Sequence, residues 1–469
     1  MKYFLAVDLG ATSGRTVLSA WDGQRIESRE FTRFANPQLP MLGHLFWDLP
    51  RLYGEILDAL RRVADEGIPL TSIGIDTWGC DFALFGRDGQ LLGLPYCYRD
   101  SHTDGAVERF FEHYMPAPEL YRRTGIQFMP FNSLFQLETL RRNGSTALSA
   151  ADKILFMPDA LSYMLTNRAV CERTVLSTSQ LLNVSTGDID EELLGILQLR
   201  RSQFGELVQP GHIVGTLTKQ VQDATGLGEV PVVAVAGHDT ASAVAAVPAP
   251  DDRFAYLSCG TWSLLGIESP TPIISEDSFR HNFTNEGGLD GTTRFLKNIS
   301  GLWLLENCRK EFKDAPSDIN QLNALCHTSS FDSIIDPEDP LFAHPLSMTT
   351  AIRQYCQRTG QAEPATAADY VRCIFRSLSQ RYSQVIQLLR QVGKTDIQRL
   401  HVIGGGSLNE HLMQWTADAT GLTVVAGPSE GTALGNTLVQ IRAAGDVASL
   451  AEMRAVVARS VSLRHYQPK

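Results

Sequence analysis

A chain of 469 residues with a formal net charge of −11, 43% hydrophobic and 20% charged residues is neither disordered nor fibrous, and it is too long for one ordinary core. Two domains of roughly 200 to 250 residues are therefore expected. The acidic balance, with no Lys/Arg cluster, argues against nucleic acid or an anionic membrane as the main partner, and no apolar run approaches the ~18 residues that span a bilayer.

The eight cysteines, Cys80, Cys97, Cys171, Cys259, Cys308, Cys326, Cys356 and Cys373, show no C-x-x-C pair and no zinc-ligand spacing. They read as small hydrophobes in a reducing compartment, with pairing of some left open. A strand pattern begins within two residues of the start, which leaves no room for a secretion signal, so a cytoplasmic protein is expected.

In chain order, residues 3–7 form an apolar strand. Asp8-Leu9-Gly10-Ala11-Thr12-Ser13-Gly14-Arg15 then leads to a second strand over 16–20. Glycines and small hydroxyl residues between antiparallel strands let backbone N–H groups converge on an anion. The turn is neither a Walker loop nor a dinucleotide-binding fingerprint. Asp8, at the strand end, can hold Mg²⁺ through water or bond turn amides. Leu52, Ile56, Leu60 and Val63 predict a helix from Asp48 to Gly67, and a strand over 72–76 follows. It runs into Thr77-Trp78-Gly79-Cys80-Asp81-Phe82, where an indole and a glycine beside carboxylates suit either a pocket for a small polar ligand or a buried Trp with a bulge. Tyr98-Arg99-Asp100-Ser101 offers hydrogen-bonding groups or an Arg–Asp pair. Residues 105–225 read as helices and connections, core and cover rather than chemistry.

Residues 230–236 are a nearly continuous apolar run, as a strand buried on both faces requires, followed by Gly237-His238-Asp239-Thr240 and an Ala-rich helix pattern. Asp239 either caps that helix or, at the carboxyl end of a strand in an open α/β sheet, does chemistry. The Pro- and Asp-rich residues 248–252 mark the expected domain boundary.

The second half opens like the first, with a strand over 254–258, the turn Cys259-Gly260-Thr261-Trp262-Ser263 and a returning strand over 264–268. Two hairpins of one design suggest duplicated domains, each with an anion-binding turn. Asn285-Glu286-Gly287-Gly288 reads as a turn, and residues 297–305 as the beginning of a helix in which Asn298 is a sugar contact or a cap. A long amphipathic helix starts at Asp369. A strand over 400–403 enters Gly404-Gly405-Gly406, a helix spans 409–420, a strand 423–426, and Glu430 to Asn436 open a last helix. Three successive glycines between strand and helix let backbone lie flat against a ligand.

These motifs, with Asn298 ahead of Gly301-Leu302-Trp303-Leu304-Leu305, resemble in order and spacing, over essentially the whole chain, the FGGY family of carbohydrate kinases within the actin-like ATPase superfamily. The resemblance implies an α/β fold of two ribonuclease H-like domains around a central interdomain cleft. Residues 1–247 would carry the sugar side and first phosphate loop, and residues 248–469 the nucleotide side. It implies ATP and Mg²⁺ as cofactors, a monomer or homodimer, and phosphorylation of a ketose at O1. The Trp78-Gly79 and Asn285-to-Gly288 stretches favour L-rhamnulose over L-fuculose, D-xylulose or glycerol. By position, Ala11, Thr12, Ser13, Gly14, Arg15, Thr261 and Gly405 would contact ATP. Gly79, His238, Asp239, Thr240 and Asn298 would contact the sugar, with Asp239 as general base and Asp8 at the metal.

Cys80, His102 and Glu306 depart from the family's usual Val, Arg and Gln. Two other classes share some of these motifs: an actin- or Hsp70-like ATPase, which has no need for a sugar-side His-Asp pair, and a sugar sensor, which would carry a basic DNA-binding arm that this chain lacks.

Overall fold

A computed structural model describes residues 1–343 and 345–469. The apolar opening becomes strand β1 (Lys2–Leu9), whose Phe4, Leu5, Ala6 and Val7 are fully buried. It pairs antiparallel with β2 (Ser13–Trp21), which pairs in turn with β3 (Ile26–Ala35). On its other side β1 runs parallel to β4 (Leu70–Thr77). With β5 (His212–Thr216) and β6 (Pro231–Ala234) this completes a six-stranded sheet of order β5-β6-β4-β1-β2-β3. A strand paired on both edges and covered on both faces must be apolar throughout, which is why the central strands show no alternation. Helix α1 (Leu49–Asp65) covers one face. Asp48 caps it by accepting from Arg51 N, and Leu52, Ile56, Leu60 and Val63 form its buried stripe.

A second sheet repeats this strand plan. It contains β7 (Phe254–Cys259), β8 (Trp262–Ser269), β9 (Thr284–Gly287), β10 (Thr293–Ser300), β11 (Arg399–Ile403), β12 (Thr423–Ala426) and β13 (Arg464–Tyr466), in the order β9-β10-β8-β7-β11-β12-β13. As in the first, a hairpin (β7/β8) lies beside parallel strands (β7/β11/β12) and an antiparallel edge strand. Duplication, suggested by the two hairpins, is thus expressed in the strand order of both sheets.

The chain forms two compact units, and they are not simply its two halves. Unit 1 takes Met1–Ala246, Ser269–Phe295 and Thr432–Ser460; unit 2 takes Val247–Glu268, Leu296–Gly431 and Val461–Lys469. Polar bonds explain why the two later segments return to unit 1. Tyr121 Oη donates to Phe283 O (2.9 Å) and Asn285 Nδ2 to Gly125 O (2.9 Å). From helix Gly431–Ala443, Asn436 Nδ2 donates to Asp76 (2.6 Å) and Gln440 Nε2 to Leu5 O (3.1 Å). That helix is not the last element, because helix Leu450–Ser460 and β13 follow it. Strand β10 occupies residues 293–300, so the expected helix begins only at Trp303. Likewise Asn285-Glu286-Gly287 is strand rather than turn. Among the described residues no helix is long and apolar enough to cross a membrane, and all eight cysteines are free and buried.

Within unit 1, Gly435 lies where helix Gly431–Ala443 crosses helix Asp239–Ala245. A Cβ at 435 would stand 1.8 Å from Ser242 O, which no rotamer adjustment relieves because the obstacle is backbone. Alanine ordinarily favours a helix by up to ~1 kcal/mol over glycine. Here Gly435→Ala should instead destabilise by about 1–3 kcal/mol through overpacking. A thermal midpoint at or above that of the parent would refute this packing argument.

Candidate active site

Three neighbouring parallel strands of unit 1 bring carboxylates to their carboxyl ends, where open α/β sheets bind ligands. Asp8 ends β1 and is the cross-strand partner of Asp76 on β4. Beyond β6, Thr77 N donates to Gly237 O (2.9 Å), which holds the His238-Asp239 turn at the same sheet edge. Glu172, buried within a region expected to supply only core and cover, accepts Gly237 N (2.9 Å) together with Thr174 and Val175 N–H groups. Three like charges gathered at one edge cost free energy unless something offsets them.

The structure offsets them unevenly. Asp8 Oδ2 accepts from Arg15 Nε (2.9 Å) and Nη2 (2.7 Å). Asp76 is fully buried, with Oδ2 accepting from Asn436 and Oδ1 lacking a hydrogen-bond partner among the described residues. Burial first, then the charges of Asp8 and Asp239, push the Asp76 carboxyl well above the usual carboxylate range against the Asn436 bond. Neither Asp76 nor its partner Asn436 stood out in the sequence, since one reads as the end of an apolar strand and the other lies 360 residues away.

Asp239 does not cap its helix. His238 occupies the N-cap, without a side-chain capping bond, and Asp239 is the first residue of helix Asp239–Ala245. Its side chain is 31% exposed, accepts from Thr240 Oγ1 (3.1 Å) and stands 3.4 Å from His238 Nε2. Its surroundings raise its pKa, burial being the largest cause; His238 opposes the shift and Asp8 adds to it.

Behind His238 lies a buried charge pair absent from the expected site. Arg294 is fully buried. Its Nη2 stands 3.1 Å from His238 Nδ1 and 3.1 Å from Glu286 Oε2, and its Nε donates to Gly287 O (2.8 Å). His238 Nδ1 also lies 3.3 Å from Glu286 Oε2, so it faces both a donor and an acceptor, while Nε2 faces Asp239. Arg294 holds the Glu286 carboxyl below its ordinary range although burial works the other way. Glu286 lies in the Asn285-to-Gly288 stretch, but in the sequence Arg294 is only an Arg on a strand, too common to single out.

Gly79 packs against Thr178: a Cβ there would lie 2.8 Å from Thr178 Oγ1. Trp78 is buried against Trp47, ring centres 4.2 Å apart, and both indoles donate to Asp81 Oδ2 (2.9 and 2.6 Å). The indole therefore serves a buried network, which also takes Tyr98 N and Gln136 Nε2. Burial raises Asp81 to about 6 against these four donors. Cys80 adopts φ 71° with its sulfur 3.3 Å from Thr178 O, and burial pushes its thiol up. Asp100 bonds His102 (2.8 Å), His44 (3.1 Å) and Leu45 N (2.7 Å), so two histidines and a backbone amide are structural partners of this carboxylate.

The first hairpin turn is built as an open loop. Gly10 N donates to Ser13 O (2.9 Å), and buried Asn36 pins it through Nδ2 to Gly10 O (2.9 Å) and N to Thr12 O (3.0 Å). Ala11 and Ser13 are half-buried and Thr12 exposed, while Gly14 and Arg15 already belong to β2.

In unit 2 the second turn has its own support. Gly260 N donates to Trp262 O (2.8 Å), and Gly301 N and Trp303 N donate to Thr261 O (3.1 and 3.2 Å). Gly404 (φ 85°) and Gly406 pack on Cys259, where a Cβ on either would come within 3.0 Å, whereas one on exposed Gly405 would meet nothing within 4 Å. Thr261 and Gly405 are thus brought to adjoining parallel strand ends, those of β7 and β11. Asn298 is half-buried on β10, and Glu306 is exposed, 3.7 Å from Arg309.

Known proteins match nearly the whole chain. The family model described as the FGGY family of carbohydrate kinases, N-terminal domain, matches residues 3–246, and its C-terminal counterpart matches residues 255–444. The chain is 53% identical over 468 residues to a rhamnulokinase of Bacteroides thetaiotaomicron, covering 99% of this chain and 96% of the relative. It is 39% identical over 466 residues to one of Bacillus subtilis, covering 99% and 95%. Among solved structures it is similar in fold to a gluconate kinase from Lactobacillus acidophilus (TM-score 0.82, 17% identity, covering 100% and 94%). A Plasmodium falciparum glycerol kinase with ADP is also similar (TM-score 0.79, 16% identity, covering 100% and 95%).

Proposed function

This chain belongs to the FGGY family of carbohydrate kinases, and we propose that it transfers the γ-phosphoryl group of ATP to O1 of L-rhamnulose, giving L-rhamnulose 1-phosphate and ADP. The observation that carries this reading is 53% identity to a rhamnulokinase over 99% of the chain.

Phosphoryl transfer asks a protein mainly for positioning and charge neutralisation, and each part can be assigned. Asp239, partly exposed and with its pKa raised, accepts the O1 proton as O1 bonds to phosphorus and the bond to the ADP oxygen breaks. His238, Thr240, Gly79 and Asn298 contact the sugar. Ala11, Thr12, Ser13, Gly14 and Arg15 in unit 1, and Thr261 and Gly405 in unit 2, contact ATP. Donors and close backbone approach are what phosphates and a flat base require.

For Mg²⁺, hard oxygen donors are the appropriate set. The oxygen donors of Asp8 and Asp76 on paired strands, with Asp76 Oδ1 lacking a hydrogen-bond partner among the described residues, fit a divalent cation. Asp8 and Asp76 are the residues that would hold it. Bound there, the ion supplies neutralisation of the phosphate oxygens.

Release of ADP measured over a panel of L-rhamnulose, L-fuculose, D-xylulose and glycerol tests the acceptor. L-rhamnulose should give a kcat/KM at least tenfold above the rest. A clear preference for another acceptor would overturn the substrate while leaving the reaction class intact.

A further inference from the structure

Unit 2 carries a second cluster of chemistry-bearing side chains with no part in phosphoryl transfer. Cys326 and His327 belong to the short turn Leu325–His327, and His411 is the second residue of helix Glu410–Thr420. His327 Nε2 and His411 Nδ1 stand 2.9 Å apart. One nitrogen of each ring and the Cys326 sulfur all lie within 4.8 Å of one another, the one such group of His, Cys, Asp or Glu among the described residues. Cys326 is buried, His411 half-buried and His327 exposed, so the three donors open toward solvent on the histidine side.

We propose that Cys326, His327 and His411 bind one divalent ion of the zinc class, with water as the fourth ligand. Metal–ligand bonds of about 2.0–2.3 Å in a tetrahedron set donor atoms roughly 3.3–3.8 Å apart, so the histidine nitrogens separate by about half an ångström and the Cys326 sulfur, within 4.8 Å of them, draws in by up to about 1 Å. A thiolate and two imidazoles select Zn²⁺, Co²⁺ or Ni²⁺ and reject Mg²⁺ or Ca²⁺, which demand oxygen. The surroundings orient the donors. Trp415 stands edge-on to His327 (5.8 Å, 90°), and Arg372 lies over Trp415 (5.5 Å) while donating to Cys326 O (3.2 Å).

Metals bind the thiolate and the neutral imidazole, so binding displaces the Cys326 proton. One proton leaves the thiol as the sulfur–metal bond forms, and the proton of the His–His hydrogen bond moves to the other nitrogen of its own ring, which frees both facing nitrogens for the metal. The ion would tie the 325–327 turn to the helix that follows the glycine loop at 404–406.

Cobalt titration of the full chain tests this, using tag-free protein that has been chelator-stripped, desalted and kept free of nucleotide. One equivalent of Co²⁺ should produce intense tetrahedral d–d bands and a thiolate-to-cobalt charge-transfer band, both abolished by Zn²⁺, with one proton released. His327→Ala, at an exposed position, should weaken Co²⁺ binding by ~100-fold or more, the upper limit for losing even an outer-shell partner. Cys326→Ser should lose the charge-transfer band while binding weakly. Absence of saturable binding, a charge-transfer band that survives Cys326→Ser, or an unchanged Co²⁺ affinity in His327→Ala would show that the cluster is only a histidine pair over a buried thiol.

Discussion

Asp239→Asn should lower kcat at least ~10²-fold while leaving the KM for the ketose within several-fold, because an acid–base group contributes typically ~10²–10⁴-fold. That factor corresponds to roughly 3–5 kcal/mol of barrier. Asparagine keeps the shape of the side chain and can still accept from Thr240 Oγ1, so the helix start and the sugar contacts survive. What is lost is the ability to take the O1 proton. The same carboxylate sets the acid limb of the wild-type profile, since it must be ionised to act as a base. Burial, with Asp8 adding to it, raises its pKa, so kcat/KM should fall with decreasing pH at a point above the ordinary value of 3.8. The limb should vanish from the residual activity of Asp239→Asn. Turnover near that of the parent would remove Asp239 from the chemistry.

Much of this site was legible in the sequence because it is written in local signals. The apolar runs, the glycine turns and the His238-Asp239 step each lie within one strand–turn unit, and the structure gives β1, β4, β6, β7 and β11 close to the expected bounds. The environment of the site was not legible, because it depends on partners far apart in the chain. Asn436 reaches Asp76 across 360 positions, Arg294 reaches His238 across 56, and Glu172 holds Gly237 across 65. Local propensity also misled where tertiary pairing overrode it. Asn285-Glu286-Gly287 looks like a turn, yet Gly287 N donates to Ser177 Oγ and the stretch is strand. Residues 297–300 have helical neighbours in sequence but continue β10.

Arg294→Met should destabilise unit 1 by about 3–5 kcal/mol, the usual cost of removing one partner from a buried ion pair. Arg294 is fully buried and Glu286 is 5% exposed, so water cannot replace the lost partner. The sign of the pH dependence distinguishes this from simple loss of packing. In the wild type the Glu286 pKa is lowered, so its contribution is present above its ordinary value of 4.5 and is lost as pH falls through the lowered pKa. Removing Arg294 takes away the largest opposing charge and leaves burial opposed only by His238 and Thr284, so Glu286 shifts upward and its contribution is instead lost as pH rises through the raised pKa. The gap in thermal midpoint between variant and parent should therefore be widest near about pH 8 and shrink toward about pH 5. Adding Glu286→Gln to Arg294→Met removes the stranded charge and should restore much of the midpoint at the higher pH. Turnover should stay low in the double variant, because the His238 ring, 3.4 Å from Asp239, has lost the Arg294 contact that positions it. A gap independent of pH, or a double variant no more stable than Arg294→Met, would mean that Arg294 acts through packing alone.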